Sequence, residues 1–117
     1  MGIVYLLGDM EKDGYFKIGV TRGKIENRVK KLQTGNAGEI YVVNKFECPH
    51  PFLLEKMLHL KFNDKKVLNE WYALDDEDVK DFTKTCEMLQ DGIDALETNY
   101  YFKKKVGRKT DSGYSYF

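Results

Sequence analysis

Five side chains of this 117-residue sequence combine reactivity with a place against an apolar face: Tyr5, Lys17, Arg28, Glu55 and His59. Tyr5 stands among Ile3, Val4, Leu6 and Leu7, and Lys17 stands between Phe16 and Ile18. Strand side chains alternate, so Tyr5 shares a face with Ile3 and Leu7, and Lys17 shares one with Tyr15 and Gly19. A hairpin would bring the phenol and the amine together on one face, with Gly19 leaving room for a ligand. Each also fits a plainer role, Tyr5 as a core aromatic and Lys17 as an edge-strand charge. Arg28 lies at the rim of a helical stripe, four residues before Leu32. A guanidinium there suits a phosphate, gripped by two parallel hydrogen bonds that lysine cannot imitate. The plain alternative is a surface charge.

Glu55 and His59, four apart in a helix, project about 40° from each other on one side, the side that also carries Leu58 and Phe62. A carboxylate on an apolar face needs a partner, because an isolated buried charge is costly. One such partner is a divalent cation, since Mg²⁺ is commonly held by one or two protein carboxylates plus phosphate and water. A structural ion pair with Arg28 or Lys17 is the other. The spacing is not that of the His-Glu-x-x-His zinc motif.

The elements that must position these groups follow from periodicity. Residues 2–7 and 15–20 are short β-rich runs joined by a polar segment ending in Asp13-Gly14, which predicts a hairpin. Ile25, Val29 and Leu32 recur at helical spacing, and Gly35-Asn36 supplies a stop. Residues 39–47 are a third strand. Pro49 and Pro51 end it and start a helix over about Phe52 to Phe62. A short extended piece covers Trp71 to Leu74, with Trp71 expected to anchor the core and Glu70 to cap or pair. Asp75 to Asp78 open a last helix, acids at the positive end of its dipole. In it Val79, Phe82, Cys86, Leu89, Ile93 and Leu96 form a 3.5-residue seam, expected to pack on its own domain. The order β-β-α-β-α-α gives an α+β expectation: a small three-stranded antiparallel sheet flanked by helices, with an added C-terminal helix. Residues 1–98 would form the domain and residues 99–117 a basic, flexible tail.

Net charge is zero, but it is segregated. Residues 1–66 hold 12 Lys/Arg against 8 Asp/Glu, residues 67–99 hold 2 against 10, and residues 100–117 hold 5 against 1. Such asymmetry suits a basic surface for a polyanion. Lys24, Lys30 and Lys31 would add non-specific attraction to a nucleic-acid backbone, as would Lys103, Lys104, Lys105, Arg108 and Lys109 in the tail. No apolar run nears the roughly 20 residues of a membrane helix, and the N-terminus lacks the features of a signal peptide. Cys48 and Cys86 match no metal-type spacing and read as reduced thiols. The expected location is cytoplasmic, or the nucleoid of a host cell, and not secreted.

These residues resemble the GIY-YIG nuclease superfamily in order and spacing. Gly2-Ile3-Val4-Tyr5 looks like its first motif and Phe16-Lys17-Ile18-Gly19 like its second. Arg28 matches the arginine of the following helix and Glu55 the metal-binding glutamate. Lys17 stands where the eponymous second tyrosine usually does. The Lys17 to Thr21 segment, Leu54 to His59 and Glu70-Trp71-Tyr72 are together similar to one branch, found in phage, bacterial and fungal proteins. The resemblance covers about residues 2–74 and implies a metal-dependent DNA endonuclease. It implies Tyr5 as general base or its activator, with its pKa lowered by Lys17 or the metal. Arg28 would bind the scissile phosphate and Glu55 would hold Mg²⁺ or Mn²⁺. His59 would orient Glu55, bind water or relay a proton. The expected partner is DNA, with RNA open, and the expected state a monomer, a homodimer through the C-terminal helix being the alternative. Two other functions compete: a nucleic-acid-binding module of the same fold without catalysis, and a protein-interaction domain using the 79–96 seam.

Overall fold

The computed structural model describes the backbone of residues 1–107 and the side chains of residues 1–97. The first hairpin forms from β1 (Gly2–Asp9) and β2 (Tyr15–Thr21). Its loop turns on Gly14, whose φ of 85° a residue with a side chain rarely adopts. Helix α1 (Ile25–Thr34) leads to β3 (Ile40–Cys48), which pairs with the other edge of β1. One extra residue, Val43, bulges where the register changes between Leu6 and Leu7. Helix α2 (Pro51–Lys61) starts with proline at its first position and buries Leu54 and Leu58 on one stripe.

Two further strands follow, β4 (Lys66–Leu68) and β5 (Trp71–Ala73), and they overturn the expectation of three strands. The sheet has five, in the order β3-β1-β2-β5-β4, with every neighbouring pair antiparallel. Runs of three residues are too short to show alternation, and these exist because β5 finds the free edge of β2. Tyr15, Phe16 and Lys17 pair with Ala73, Tyr72 and Trp71. The turn between β4 and β5 depends on Asn69 at a φ of 53°, a conformation Asn tolerates better than most residues.

The expected last helix is two. Asp75 caps α3 (Asp76–Lys80) in a reciprocal capping box with Asp78, and Lys65 pairs with both carboxylates. The chain then bends at Asp81 and continues as α4 (Phe82–Gly107). The boundary expected at residue 98 therefore falls inside α4. The tail residues Lys103, Lys104, Lys105, Arg108 and Lys109 lie outside the described side chains.

Helices pack on both faces of the sheet. On one, Val4, Leu6 and Ile18 pack with Leu54, Leu58 and Phe62 of the α2 region, and with Phe82, Cys86 and Ile93 of α4. The seam expected to pack on its own domain does so as far as Ile93, whereas Leu96 is exposed. Burying a side chain such as Phe82 is worth about 1.5–3 kcal/mol, so the start of α4 belongs to the core. On the other face, Tyr5 and Leu7 pack under Ile25, Val29 and Leu32 of α1 and Ile40. Trp71 does not anchor the core; it is half-buried, and its neighbour Tyr72 is the fully buried ring. Cys48 and Cys86 are free and buried, and burial pushes the Cys86 thiol up to about 12. Among the described residues no helix is long and apolar enough to cross a membrane.

Candidate functional site

Register decides how the site is assembled. Tyr5 lies directly opposite Gly19, and Leu7 opposite Lys17, so all four share the α1 face. Gly19 does not leave room for a ligand as expected. The Tyr5 ring fills that space: a Cβ on Gly19 would lie 2.6 Å from Tyr5 Cε1. Lying across Gly19, the ring carries its hydroxyl toward α1, where Arg28 Nε donates a hydrogen bond to it at 3.1 Å. Tyr5 is fully buried beneath this contact.

Burial raises the Tyr5 phenol above its ordinary value of 10.0; the Arg28 hydrogen bond and charge oppose that shift, and Glu70 and Glu55 add to it. The cation touching Tyr5 is thus Arg28. Lys17 instead pairs with Glu70 at 3.2 Å and places its ammonium 5.7 Å from the Trp71 ring centre. The same hydrogen bond to Tyr5, with the charges of Glu70 and Glu55, strengthens the hold of Arg28 on its proton.

Glu55 and His59 rise from α2 beside the edge of β2 that β5 leaves free. The backbone carbonyl of Ile18 accepts from His59 Nε2 at 3.2 Å. A carbonyl only accepts, so Nε2 carries a proton, and in the neutral imidazole Nδ1 accepts a hydrogen bond from the Tyr72 hydroxyl. The imidazole is held in one tautomer, with Nε2 also 3.5 Å from Glu55 Oε2. Burial pushes the Glu55 carboxyl above its ordinary value, with His59 and Arg28 opposing and Glu70 adding. Tyr72 is likewise raised, by burial first and then by Glu70 and Glu55. The sequence marked Glu70-Trp71-Tyr72 as structural; so short a strand shows no alternation of its own, and only its pairing with β2 puts Tyr72 on the face opposite Trp71. Tyr72→Phe keeps the ring but orphans Nδ1, and should cost about 1–3 kcal/mol in urea unfolding. Unchanged stability would show that His59 finds another partner.

The donor set at Glu55 fits a divalent cation: a half-buried carboxylate oxygen, with a second carboxylate, Glu70, in electrostatic reach. Among the described residues, three donors close enough to share one ion occur at His50, Asp94 and Glu97 instead. An ion at Glu55 would therefore draw its remaining ligands from water and a substrate phosphate. Lys24, Lys30 and Lys31 are exposed on or beside α1, the helix that carries Arg28.

The model of the T5orf172 domain matches residues 2–87, from the start of β1 into α4. The chain belongs to the T5orf172 domain family. That family has a GIY-YIG-like fold and is associated with nuclease-like proteins and nucleic acids. No curated protein and no solved structure matched significantly. The T5orf172 match runs beyond the resemblance seen over residues 2–74, taking in α3 and the turn of α4 that buries Phe82 and Cys86. All five candidate side chains lie within the matched T5orf172 residues. The His50 cluster does not, since Asp94 and Glu97 fall beyond them.

Proposed function

We propose that this T5orf172 domain is a divalent-ion-dependent endonuclease that hydrolyses DNA phosphodiester bonds. The observation that carries the reading is the Tyr5–Arg28 hydrogen bond lying in the field of Glu55 and Glu70. That arrangement sets phenol, guanidinium and carboxylates within one another's field. Arg28 commits Nε to Tyr5 and has its two terminal NH₂ groups for a phosphate, stabilising the charge that builds on the phosphoryl oxygens. In hydrolysis a water oxygen bonds to phosphorus, one P–O ester bond breaks, and the water loses a proton. Tyr5, as a phenolate still accepting from Arg28 Nε, takes that proton. His59 holds Glu55 in place through its fixed tautomer, and Lys17 offsets the charge of Glu70. A Mg²⁺ or Mn²⁺ ion held by Glu55 would supply charge stabilisation at the leaving oxygen.

Nicking of supercoiled plasmid with and without divalent ions tests the proposal. Because burial raises the Tyr5 pKa, the phenolate is scarce at neutral pH and the rate should climb with pH through 8 and beyond. Tyr5→Phe should lower it by about 10²-fold or more and flatten that rise. A lower rate with the rise intact would make Tyr5 a holder of Arg28, not a base. The second reading, a nucleic-acid-binding module without catalysis, draws on the sealed phenol and on Lys17 tied to Glu70. Binding without nicking at any pH would favour it.

A further inference from the structure

Helix α1 covers only part of its face of the sheet. Tyr5 and Leu7 lie under it, while β2 and β5 continue past its edge. Lys17 and Trp71 are directly paired there and share that face. A cleft of about 300 Å³ opens between this floor and the end of α1, lined by Lys17, Lys31, Leu32, Asn36, Ile40 and Trp71. Lys31 is three residues beyond Arg28, so the cleft wall stands about 4.5 Å along the helix axis from the phosphate-binding arginine. Asn36 is held by its side-chain amide, which donates to buried Asp9 at 2.8 Å. The ammonium groups of Lys12 and Lys17 lie 5.5 and 5.7 Å from the indole centre.

A half-buried indole beside a phosphodiesterase site, ringed by lysines, is not explained by the core or by the chemistry of Tyr5, Arg28 and Glu55. We infer that this cleft is a subsite for an unpaired nucleobase next to the scissile phosphate, stacked on Trp71. The inference rests on the proposed function of the neighbouring site. A ring face accepts any base, and the flanking cations suit the phosphates on either side of it. Lys12 is exposed on a flexible stem, so its ammonium swings from the ring face to a neighbouring phosphate as the base enters, while Lys17 keeps its pairing with Glu70 at the cleft floor. A base inside a duplex cannot present its face to a side chain on the protein surface. The substrate class is therefore nucleic acid with an unpaired nucleotide at the cleavage position, a single strand or an unpaired segment in a duplex.

Trp71 is the one tryptophan of the chain, so tryptophan fluorescence, excited where tyrosine does not absorb, reports on this position alone. Without divalent ions, a single-stranded oligonucleotide should quench it, and an abasic oligonucleotide of equal length and charge should bind about tenfold or more weakly. Perfect duplex should quench less than single strand. Trp71→Phe should keep the preference for bases over abasic sugar, measured by anisotropy, and Trp71→Leu should lose it. Equal affinity and equal quenching by the intact and abasic strands would overturn the inference, and so would no quenching at all. None of these readouts needs cleavage. Plasmid nicking with no base preference defeats the subsite alone, and base-dependent quenching without nicking defeats the chemistry alone.

Discussion

Glu55→Gln should abolish divalent-ion-dependent cleavage, by at least about 10²-fold, while DNA binding changes little and the fold becomes more stable. The amide keeps the shape of the side chain and its contact with His59 Nε2, so the α2 face stays packed. It removes the negative charge that would hold the ion. The gain in stability follows from the sign of the pKa shift. Burial raises the folded-state pKa of Glu55 above 4.5, so the folded chain holds this proton more tightly than the unfolded chain does. Stability is therefore lost as pH rises from about that value through the raised one, and at neutral pH the ionised carboxylate is a cost to the fold. Thermal unfolding at pH 7 should show Glu55→Gln melting higher than the parent, and the gap should close as the pH is lowered. Cleavage at parental rates would remove Glu55 from the metal role. A lower melting temperature with cleavage lost would mean that the pairing with His59 outweighs the burial of charge.

Gly19→Ala should be nearly as damaging to activity and should also destabilise the chain. The added methyl would enter the space of the Tyr5 ring, 2.6 Å from Cε1. Overpacking of this kind costs about 1–3 kcal/mol, here concentrated on the ring whose hydroxyl meets Arg28. Turning the ring aside breaks the 3.1 Å hydrogen bond and uncouples Arg28 from β1. A double-mutant cycle separates this effect from any general weakening of β2: in a Tyr5→Leu background, with the ring gone, the same alanine should cost much less. Additive losses would show that Gly19 serves the strand and not the ring. Normal stability and turnover in the single variant would mean that Tyr5 does not lie across Gly19.

The sequence alone determined the parts that depend on local chemistry. Asp13-Gly14 specified the first hairpin, and Pro51 began α2. The spacing of Ile25, Val29 and Leu32 placed the buried stripe of α1. Alternation put Tyr5 and Lys17 on one face, and helical spacing put Glu55 beside His59. The ordered set of short motifs resembled the GIY-YIG superfamily, and the T5orf172 match supports that at the level of a GIY-YIG-like, nuclease-associated fold. Tertiary structure decided what depends on non-local pairing. The sequence marked Trp71 to Leu74 only as an extended piece; that it joins the sheet as β5, and that β4 forms beside it, depends on the free edge that β2 offers. Whether Gly19 makes room for a ligand or for Tyr5 depends on register across two strands, which no single-strand pattern encodes. The partners of the charges were equally hidden. Lys17 takes Glu70 and leaves Tyr5 to Arg28, because β5 brings Glu70 to the edge of β2. Trp71 yielded its expected place in the core to Tyr72 for the same reason. Their pairing with Lys17 and Phe16 sends one ring to the open face and the other into the core, where its hydroxyl sets the tautomer of His59.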